Sequence, residues 1–292
     1  MKGNTSVLPF YTDISLQNHR RSYAYGQTYP LYVETGFLPP FQIIRTSGIG
    51  RSLTSAFLFT VDGQYVENLY TGLYETGLVV KDFTDYDVLV YPAWMYLGHS
   101  IPEGRYYLRL GDGVNQWWSD VFTVVGDISP YLKIEWWDDE DFIFQGGCIV
   151  YQYDEFGNKF KNFVYLDTQL GKPDYEFEEE GETRDGLFFP EKQISEKVYK
   201  CTILAPEYLL DVMRTIRMAD HVTVTDTFGR QYECDTFLMT PKWEVQGDLA
   251  SVEMEFRTDV VLKKLPYVKL LPLEVKGDFN NDFNNDFNIT TD

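Results

Sequence analysis

Short apolar and aromatic runs, separated by turn residues, fill the chain between residues 30 and 126. Strand signals of this length and spacing are typical of a β-sandwich. The clearest runs are FQIIRT at 41–46, SAFLFTV at 55–61, YDVLVYPA at 86–93 and WSDVFTVV at 118–125.

The end of this first region predicts a hairpin. Alternating apolar residues flank the turn GDGVNQ at 111–116, with Tyr106, Leu108 and Leu110 before it and Val121, Thr123 and Val125 after it. Because successive side chains of a strand point to opposite faces, this alternation indicates two half-buried strands. A final hairpin of this kind indicates an immunoglobulin-like or fibronectin-like domain at residues 30–127.

The pattern changes after GDISP at 126–130, so we place a domain boundary there and expect a second β-rich domain at residues 128–265. Its one helix is predicted near 206–219, where Leu209, Met213 and Ile216 recur on one face. Pro206 suits the start of that helix. The predicted fold is therefore mostly β: an immunoglobulin-like sandwich followed by a β-rich domain with one α-helix.

Two further β elements are predicted in the second domain. The segment HVTVTDTFGRQYECDTFLM at 221–239 predicts a hairpin that turns at TFGR. The segment LASVEMEFRTDVVL at 249–262 predicts a last strand, in which Val252, Met254 and Phe256 alternate.

The two ends of the chain differ from its middle. Residues 1–29 show little periodicity and are interpreted as an N-terminal arm, whereas residues 266–292 form a polar C-terminal extension with a repeated D-F-N-N motif. In that tail, Phe279, Phe283 and Phe287 are candidates for docking into a groove of a neighbour.

The tail also contains part of a calcium-loop pattern. Asp278, Asn280 and Asp282 match the first three ligand positions of an EF-hand loop. Phe283 stands where the loop needs glycine and Ile289 where it needs glutamate. Because two demanding positions fail, no metal site is predicted.

The net charge of the chain limits the kinds of partner that it can bind. There are 45 Asp and Glu against 25 Lys and Arg, which gives a net charge of -20 and argues against binding phosphate backbones or anionic lipid. A conduit lined by such a surface still lets DNA pass without sticking.

The chain has three cysteines, an odd number, and they lack CxxC spacing, so reduced thiols are expected. They are Cys148, Cys201 and Cys234. The sequence shows neither a secretory signal nor an apolar segment long enough to span a membrane, so synthesis in a cytoplasm is expected.

Seven carboxylates crowd residues 174–185, in the stretch PDYEFEEEGETRDGLFFPEKQ. The sequence alone leaves three interpretations open: an acid/base pair of a glycoside hydrolase, a hard-cation site, or an interaction surface. Gly181 and Gly186 and the lack of an apolar period predict a solvated loop.

The sequence contains no recognisable catalytic motif. The three histidines are scattered, and no P-loop, G-x-S-x-G or G-x-G-x-x-G frame is present. We therefore expect no enzyme activity and no cofactor.

Two pairs of adjacent tryptophans, Trp117–Trp118 and Trp136–Trp137, are notable. On a strand, one member of each pair is expected in the core and the other at the surface. Surface tryptophans suit either sugar stacking or a protein–protein interface, where Trp and Tyr are enriched.

Most of the chain resembles a family of uncharacterised structural proteins from phages and prophages of gut Bacteroidales bacteria. The resemblance is carried by residues 160–264, from FKNFVYLDTQLGKPDYEFEEE to EFRTDVVLKK, and by the upstream stretches LPFYTDISLQNHRRSYAYG and YLKIEWWDDED. It implies a virion component of the tail or its distal end, which is made in the bacterial cytoplasm and assembles as a ring with copies of itself and other virion proteins. The alternative that we retain is an adaptor that binds a glycan or a receptor.

Six residues of the second domain are our candidates for subunit contacts. They are chosen by residue type and by their place in the expected loops and strands. The candidates are Trp136, Trp137, Glu178, Glu179, Glu180 and Trp243.

Overall fold

The structure is a computed structural model, and it is mostly β, as the sequence predicts. It describes residues 6–12, 30–46, 52–75, 78–82, 86–91, 101–139, 142–144, 148–150, 160–243, 249–258 and 262–264.

Within its described residues, the first region contains ten strands and one short helix. They are β1 (Phe10–Tyr11), β2 (Tyr32–Glu34), β3 (Phe41–Thr46), β4 (Ser55–Thr60), β5 (Tyr65–Asn68), α1 (Tyr70–Glu75), β6 (Val79–Asp82), β7 (Tyr86–Tyr91), β8 (Gly104–Gly111), β9 (Gln116–Ser119) and β10 (Phe122–Val125).

In the part of the second region that the structure describes, there are ten further strands, one α-helix and a 3₁₀ turn. They are β11 (Leu132–Trp137), β12 (Phe142–Phe144), β13 (Cys148–Val150), β14 (Asn162–Leu166), β15 (Asp174–Arg184), β16 (Leu187–Pro206), α2 (Glu207–Met213), the 3₁₀ turn Ile216–Met218, β17 (His221–Thr225), β18 (Gln231–Trp243), β19 (Leu249–Thr258) and β20 (Leu262–Lys264).

Two sheets make up the first region. One has the order β1-β9-β8-β10-β2, with β4 paired to β8 and β5 paired to β4, and the other has the order β3-β7-β6. Leu58 and Leu108 of the first sheet and Phe41 and Leu89 of the second are fully buried in one apolar cluster. Two sheets that share a core are consistent with the predicted sandwich, while its immunoglobulin-like topology stays a prediction.

The predicted last hairpin of this region exists, but its return strand changes phase. Leu108 on the outgoing strand is buried as expected, whereas on the return Phe122 and Val124 are buried and Thr123 lies half-exposed between them. The cause is the interruption between β9 and β10 at Asp120, which shifts every later side chain to the other face.

Part of the predicted N-terminal arm packs into the first region. Val7 and Leu8 are buried in the core, and β1 pairs antiparallel with β9 through Phe10 and Tyr11. The arm interpretation is therefore wrong for residues 6–12. The partners of this short apolar stretch are distant in sequence, about 30 residues away at Phe41 and about 100 residues away on β9, so no local period could reveal them.

The second region is built on an eight-stranded sheet. Its order is β14-β11-β17-β18-β19-β16-β15, with β20 beside β16, so β14 and β15 are its edge strands. The predicted alternation on β19 is confirmed, because Val252, Met254 and Phe256 are all fully buried.

The predicted helix is present and shorter than expected. It spans Glu207–Met213, with Pro206 at its N-cap, and a 3₁₀ turn follows at Ile216–Met218. The apolar face of Leu209, Met213 and Ile216 is fully buried, as predicted. Helix α1 was not predicted, because six residues are too few for a helical period to show.

The hairpin at TFGR is confirmed, and Asp226 organises its turn. The carboxylate accepts hydrogen bonds from the backbone N–H groups of Phe228 and Arg230, both at 2.9 Å, and from Nε of Arg230 at 2.7 Å. Burial alone would raise the pKa of Asp226, but these hydrogen bonds outweigh it and the net pKa is lowered.

The chain divides into two compact units. The first comprises Met1–Glu176 and Glu196–Val261, and the second comprises Phe177–Ser195 and Leu262–Asp292. The predicted boundary between domains 30–127 and 128–265 instead falls between Val125 and Leu132, where the chain leaves the sheets of the first region and enters those of the second. That division into domains stays a prediction.

Candidate assembly surface

The acidic cluster lies on a β-hairpin, so the predicted loop is wrong. Strand β15 carries the carboxylates, and β16 returns after a turn at Asp185 and Gly186. Both turn residues have positive φ, 52° and 78°. This is the geometry of the type I′ turn, for which Asp-Gly is the preferred sequence. The signal was therefore in the sequence, in the dipeptide that follows Arg184.

The outer part of this hairpin leaves large apolar side chains in solvent. Tyr175 is 58% exposed, Phe177 71%, Leu187 65% and Phe188 48%. From residue 177 to residue 190, every residue whose burial the structure describes is exposed, so neither face of the hairpin is covered. We call these residues, 177–190, the exposed hairpin.

The three glutamates proposed as contact residues lie on this exposed hairpin. Oε1 of Glu179 accepts a hydrogen bond from Nε2 of Gln193 at 2.6 Å, and Glu180 forms an ion pair with Lys192 at 3.2 Å. Such exposed pairs contribute little stability, because water and salt screen them. Glu178 is exposed as well. Their charges therefore remain available to a partner.

Near the start of β15 the carboxylates are held by two cations of the neighbouring strands. Arg257 contacts Glu176 at 2.8 Å and Glu196 at 2.9 Å, and Lys200 contacts Asp174 at 3.3 Å. Of the seven carboxylates, Asp174 and Glu176 thus pair with Lys200 and Arg257, and the other five lie on the exposed hairpin. Within the described residues, no group of three or more His, Cys, Asp or Glu side chains is arranged to hold a metal ion.

The adjacent tryptophans separate as expected, which changes the list of candidates. Trp136 is only 2% exposed, and its Nε1 donates a hydrogen bond to Oγ1 of Thr215 at 3.0 Å. It is a core residue, so its choice as a subunit contact is corrected. Trp137 is half-buried, stacks on His221 at 5.1 Å between ring centroids, and has Nζ of Lys161 at 3.8 Å from its ring centroid.

Beside Trp137 the carboxylates of Asp138, Asp139 and Asp220 form a hydrogen-bonded group. Asp138 accepts a hydrogen bond from the backbone N–H of Asp220 at 3.0 Å, and Asp220 accepts one from the backbone N–H of Asp139 at 2.9 Å. Burial raises the pKa of Asp138 to about 6, and the charges of Asp220 and Asp139 add to the effect against the opposing backbone hydrogen bond and His221.

Replacing Asp138 by asparagine is expected to increase the free energy of unfolding by about 1–2 kcal/mol at pH 8, since each unit of pKa shift corresponds to ~1.4 kcal/mol. The folded pKa is raised above the unfolded value of about 4, so the native state binds the proton more tightly. The contribution of Asp138 to wild-type stability therefore falls as the pH rises from about 4 to about 6, and the advantage of Asp138→Asn grows over the same window.

Urea denaturation of both proteins at several pH values measures this effect. The exposed residue Asp62 provides the control, because Asp62→Asn is expected to change stability little at any pH. A difference between Asp138→Asn and wild type that stays constant from pH 4 to pH 8 would contradict the assignment.

Trp243 lies at the surface, as its choice as a contact residue requires. It is 47% exposed and lines a groove of about 540 Å³ between helix α2 and the end of β18. No local pattern in the sequence indicates this groove, because its two walls come from residues about 30 positions apart. The tail residues Phe279, Phe283 and Phe287, and the partial calcium pattern, lie outside the described residues.

Comparisons of the chain with protein-family models, curated proteins and solved structures gave no significant match. Within the described residues, no helix combines the length and apolar character that crossing a membrane requires.

Proposed function

We propose that this chain is a non-enzymatic structural protein of a bacteriophage virion, located in the tail or its distal end, which assembles as a ring with copies of itself. The observation that carries the proposal is the exposed hairpin. Its strands present Phe177, Leu187 and Phe188 to solvent beside a row of carboxylates.

An exposed hairpin of this length needs a partner. A two-stranded hairpin is at best marginally stable in water, and contiguous exposed apolar side chains mark interaction sites in folded proteins. Each aromatic side chain buried at an interface removes a large apolar area from water. Association therefore supplies the stabilisation that the hairpin lacks on its own.

The position of β15 at a sheet edge favours a second copy as that partner. Its outward N–H and C=O groups form a template for another strand. A contact between β15 of one copy and a different surface of the next copy is heterologous, and a heterologous contact closes into a ring when the rotation allows it.

The charge distribution fits a conduit. Between residues 174 and 195 there are eight acidic and two basic residues, and the whole chain carries -20. A ring of such subunits places a high density of negative charge around its axis, which repels DNA and lets it slide. The resemblance of residues 160–264 to phage structural proteins supports the same function, because the hairpin lies within that stretch.

Purified phage particles from a bacterial culture that produces this protein provide the test. Mass spectrometry of the particles is expected to detect the chain in a fixed ratio to other tail proteins, and labelling with a specific antibody is expected to decorate the tail in electron micrographs. Its absence from intact particles, while it is abundant in the lysate, would overturn the virion assignment.

A further inference from the structure

The groove beside Trp243 combines the periodicities of a helix and a strand. Leu210 on α2 and Arg214, the C-cap residue of that helix, are four residues apart and share one face. On β18, Met239, Pro241 and Trp243 are two residues apart and share the opposite wall. Both walls belong to the first compact unit.

The walls offer apolar surface together with three charged side chains, the carboxylates of Glu207 and Asp211 and the guanidinium of Arg214. Leu210 is buried at 7% exposure and forms part of the lining, whereas Trp243 stands 47% exposed. Met239 adds a flexible thioether, which contacts aromatic rings favourably. Pro241 contributes no backbone donor, so this wall adds little polarity.

Arg214 is placed to meet an acidic partner. Its side chain is 65% exposed, its Nε donates a hydrogen bond to the backbone carbonyl of Asp211 at 3.1 Å, and its Nη1 lies 3.8 Å from Oδ1 of Asp211. The ion pair between the two side chains is weak, because it is long and exposed to solvent. The guanidinium can therefore form a closer pair with a carboxylate that enters the groove.

The C-terminal extension of the chain carries the matching chemistry three times. The motif D-F-N occurs at 278–280, 282–284 and 286–288, so an aromatic ring follows a carboxylate in each repeat. Residues 265–292 can span at most roughly 90 Å when fully extended, which is enough to reach an adjacent subunit. Three equivalent motifs also raise the chance that one of them is bound.

We propose that the groove formed by α2 and the end of β18 binds a D-F-N motif of the C-terminal tail of a second copy. The phenylalanine ring packs between Trp243 and Met239, and the preceding aspartate pairs with Arg214. This inference deepens the proposed function, since it names a contact that links neighbouring subunits, and it rests on that function for the identity of the neighbour.

Binding of a labelled peptide with the sequence of residues 277–292 tests the groove directly. The receptor is the full chain carrying Phe279→Ala, Phe283→Ala and Phe287→Ala, whose own tail has lost its rings. Fluorescence anisotropy is expected to show saturable binding. Adding Trp243→Ala to the receptor is expected to weaken binding by about tenfold or more, as is typical for a buried aromatic anchor.

Two further variants of the receptor separate a specific contact from general stickiness. Arg214→Glu is expected to weaken peptide binding several-fold, because it reverses the charge that meets the aspartate. Phe228→Ala is the matched control, since Phe228 is an 80% exposed aromatic residue outside the groove. Equal binding to the parent, Trp243→Ala and Arg214→Glu receptors would overturn the proposal, and so would the absence of binding.

A photo-crosslinking amino acid in place of Phe283 distinguishes a second copy from the same chain. The unlabelled variant and isotopically heavy wild-type chain are unfolded in urea, mixed and refolded together so that any oligomer contains both, then irradiated, and the cross-linked peptides are identified by mass spectrometry. Exchange between copies predicts light tails joined to heavy peptides that contain Met239. Purely light pairs would show that the tail binds its own groove and would overturn the second-copy assignment. The peptide experiment needs neither a ring nor a virion, so it fails or succeeds independently of the proposed function.

Discussion

Replacing Asp87 by alanine is expected to lower the free energy of unfolding by about 3–5 kcal/mol, because it leaves a buried guanidinium without its main counter-charge. Asp87 and Arg45 face each other on β7 and β3, and Nη2 of Arg45 lies 2.9 Å from Oδ2 of Asp87. Both side chains are only 2% exposed. Nη1 of Arg45 lies 3.5 Å from Oδ2 of Asp112, which is too far to replace the lost pair.

The effect is measured by urea denaturation followed by circular dichroism. Asp211→Ala is the matched control, because it removes an exposed pair with Arg214 and is expected to cost less than about 0.5 kcal/mol. Replacing both Arg45 and Asp87 by apolar residues is expected to cost less than Asp87→Ala alone, since no buried charge is then left over from the pair. A loss for Asp87→Ala no larger than that of the control would show that the pair does not stabilise the fold.

Replacing Phe177 and Phe188 by serine is expected to abolish self-association and leave the fold intact. The two rings are 71% and 48% exposed, so their removal takes little from the core of the chain itself. Substitutions at such sites usually change the free energy of unfolding by no more than about 0.5 kcal/mol. Sedimentation velocity is expected to show monomer at concentrations where the wild type forms an oligomer.

The control for this pair removes equally exposed apolar side chains elsewhere. Phe228 is 80% and Met218 is 54% exposed, and both lie outside the hairpin, so Phe228→Ser with Met218→Ser is expected to associate like the wild type. If the two double variants lose association to the same extent, the hairpin is not the specific assembly element.

The elements that the sequence predicted well are those with one fully buried face. Val252, Met254 and Phe256 on β19, and Leu209 and Met213 on α2, are all at 0% exposure. A single solvated face opposite a buried one imposes the period of the element on the sequence, so the period can be read without the structure.

The acidic strand β15 was missed for the opposite reason. Both of its faces are exposed beyond residue 177, so burial imposes no alternation on it. The carboxylates dominate its composition, and charged residues are ordinarily typical of loops. Only the turn dipeptide at Asp185 and Gly186 carried the hairpin signal.

The sequence predicts which kinds of residue are suited to subunit contacts, but it does not predict where in the fold those residues lie. Two adjacent tryptophans on a strand must point to opposite faces, but only the arrangement of the sheet shows that Trp136 faces the core and Trp137 the surface. Trp243 became part of a groove only because β18 passes beside α2, and such tertiary neighbours leave no mark in either segment. The phase change at Asp120 could not be predicted either, because one extra residue in a strand leaves no recognisable mark on the residue composition of that strand.

The molar mass of the purified wild-type chain in solution tests the central claim most directly. Light scattering at rising protein concentration, at 0.15 M salt and again at about 0.5 M salt, is expected to show a discrete oligomer larger than the 34.1 kDa chain. Higher salt is expected to favour the oligomer, because it screens the repulsion between subunits that each carry -20. A mass that stays at 34.1 kDa at every concentration and in both salts would contradict self-assembly and favour a monomeric glycan-binding or receptor-binding adaptor.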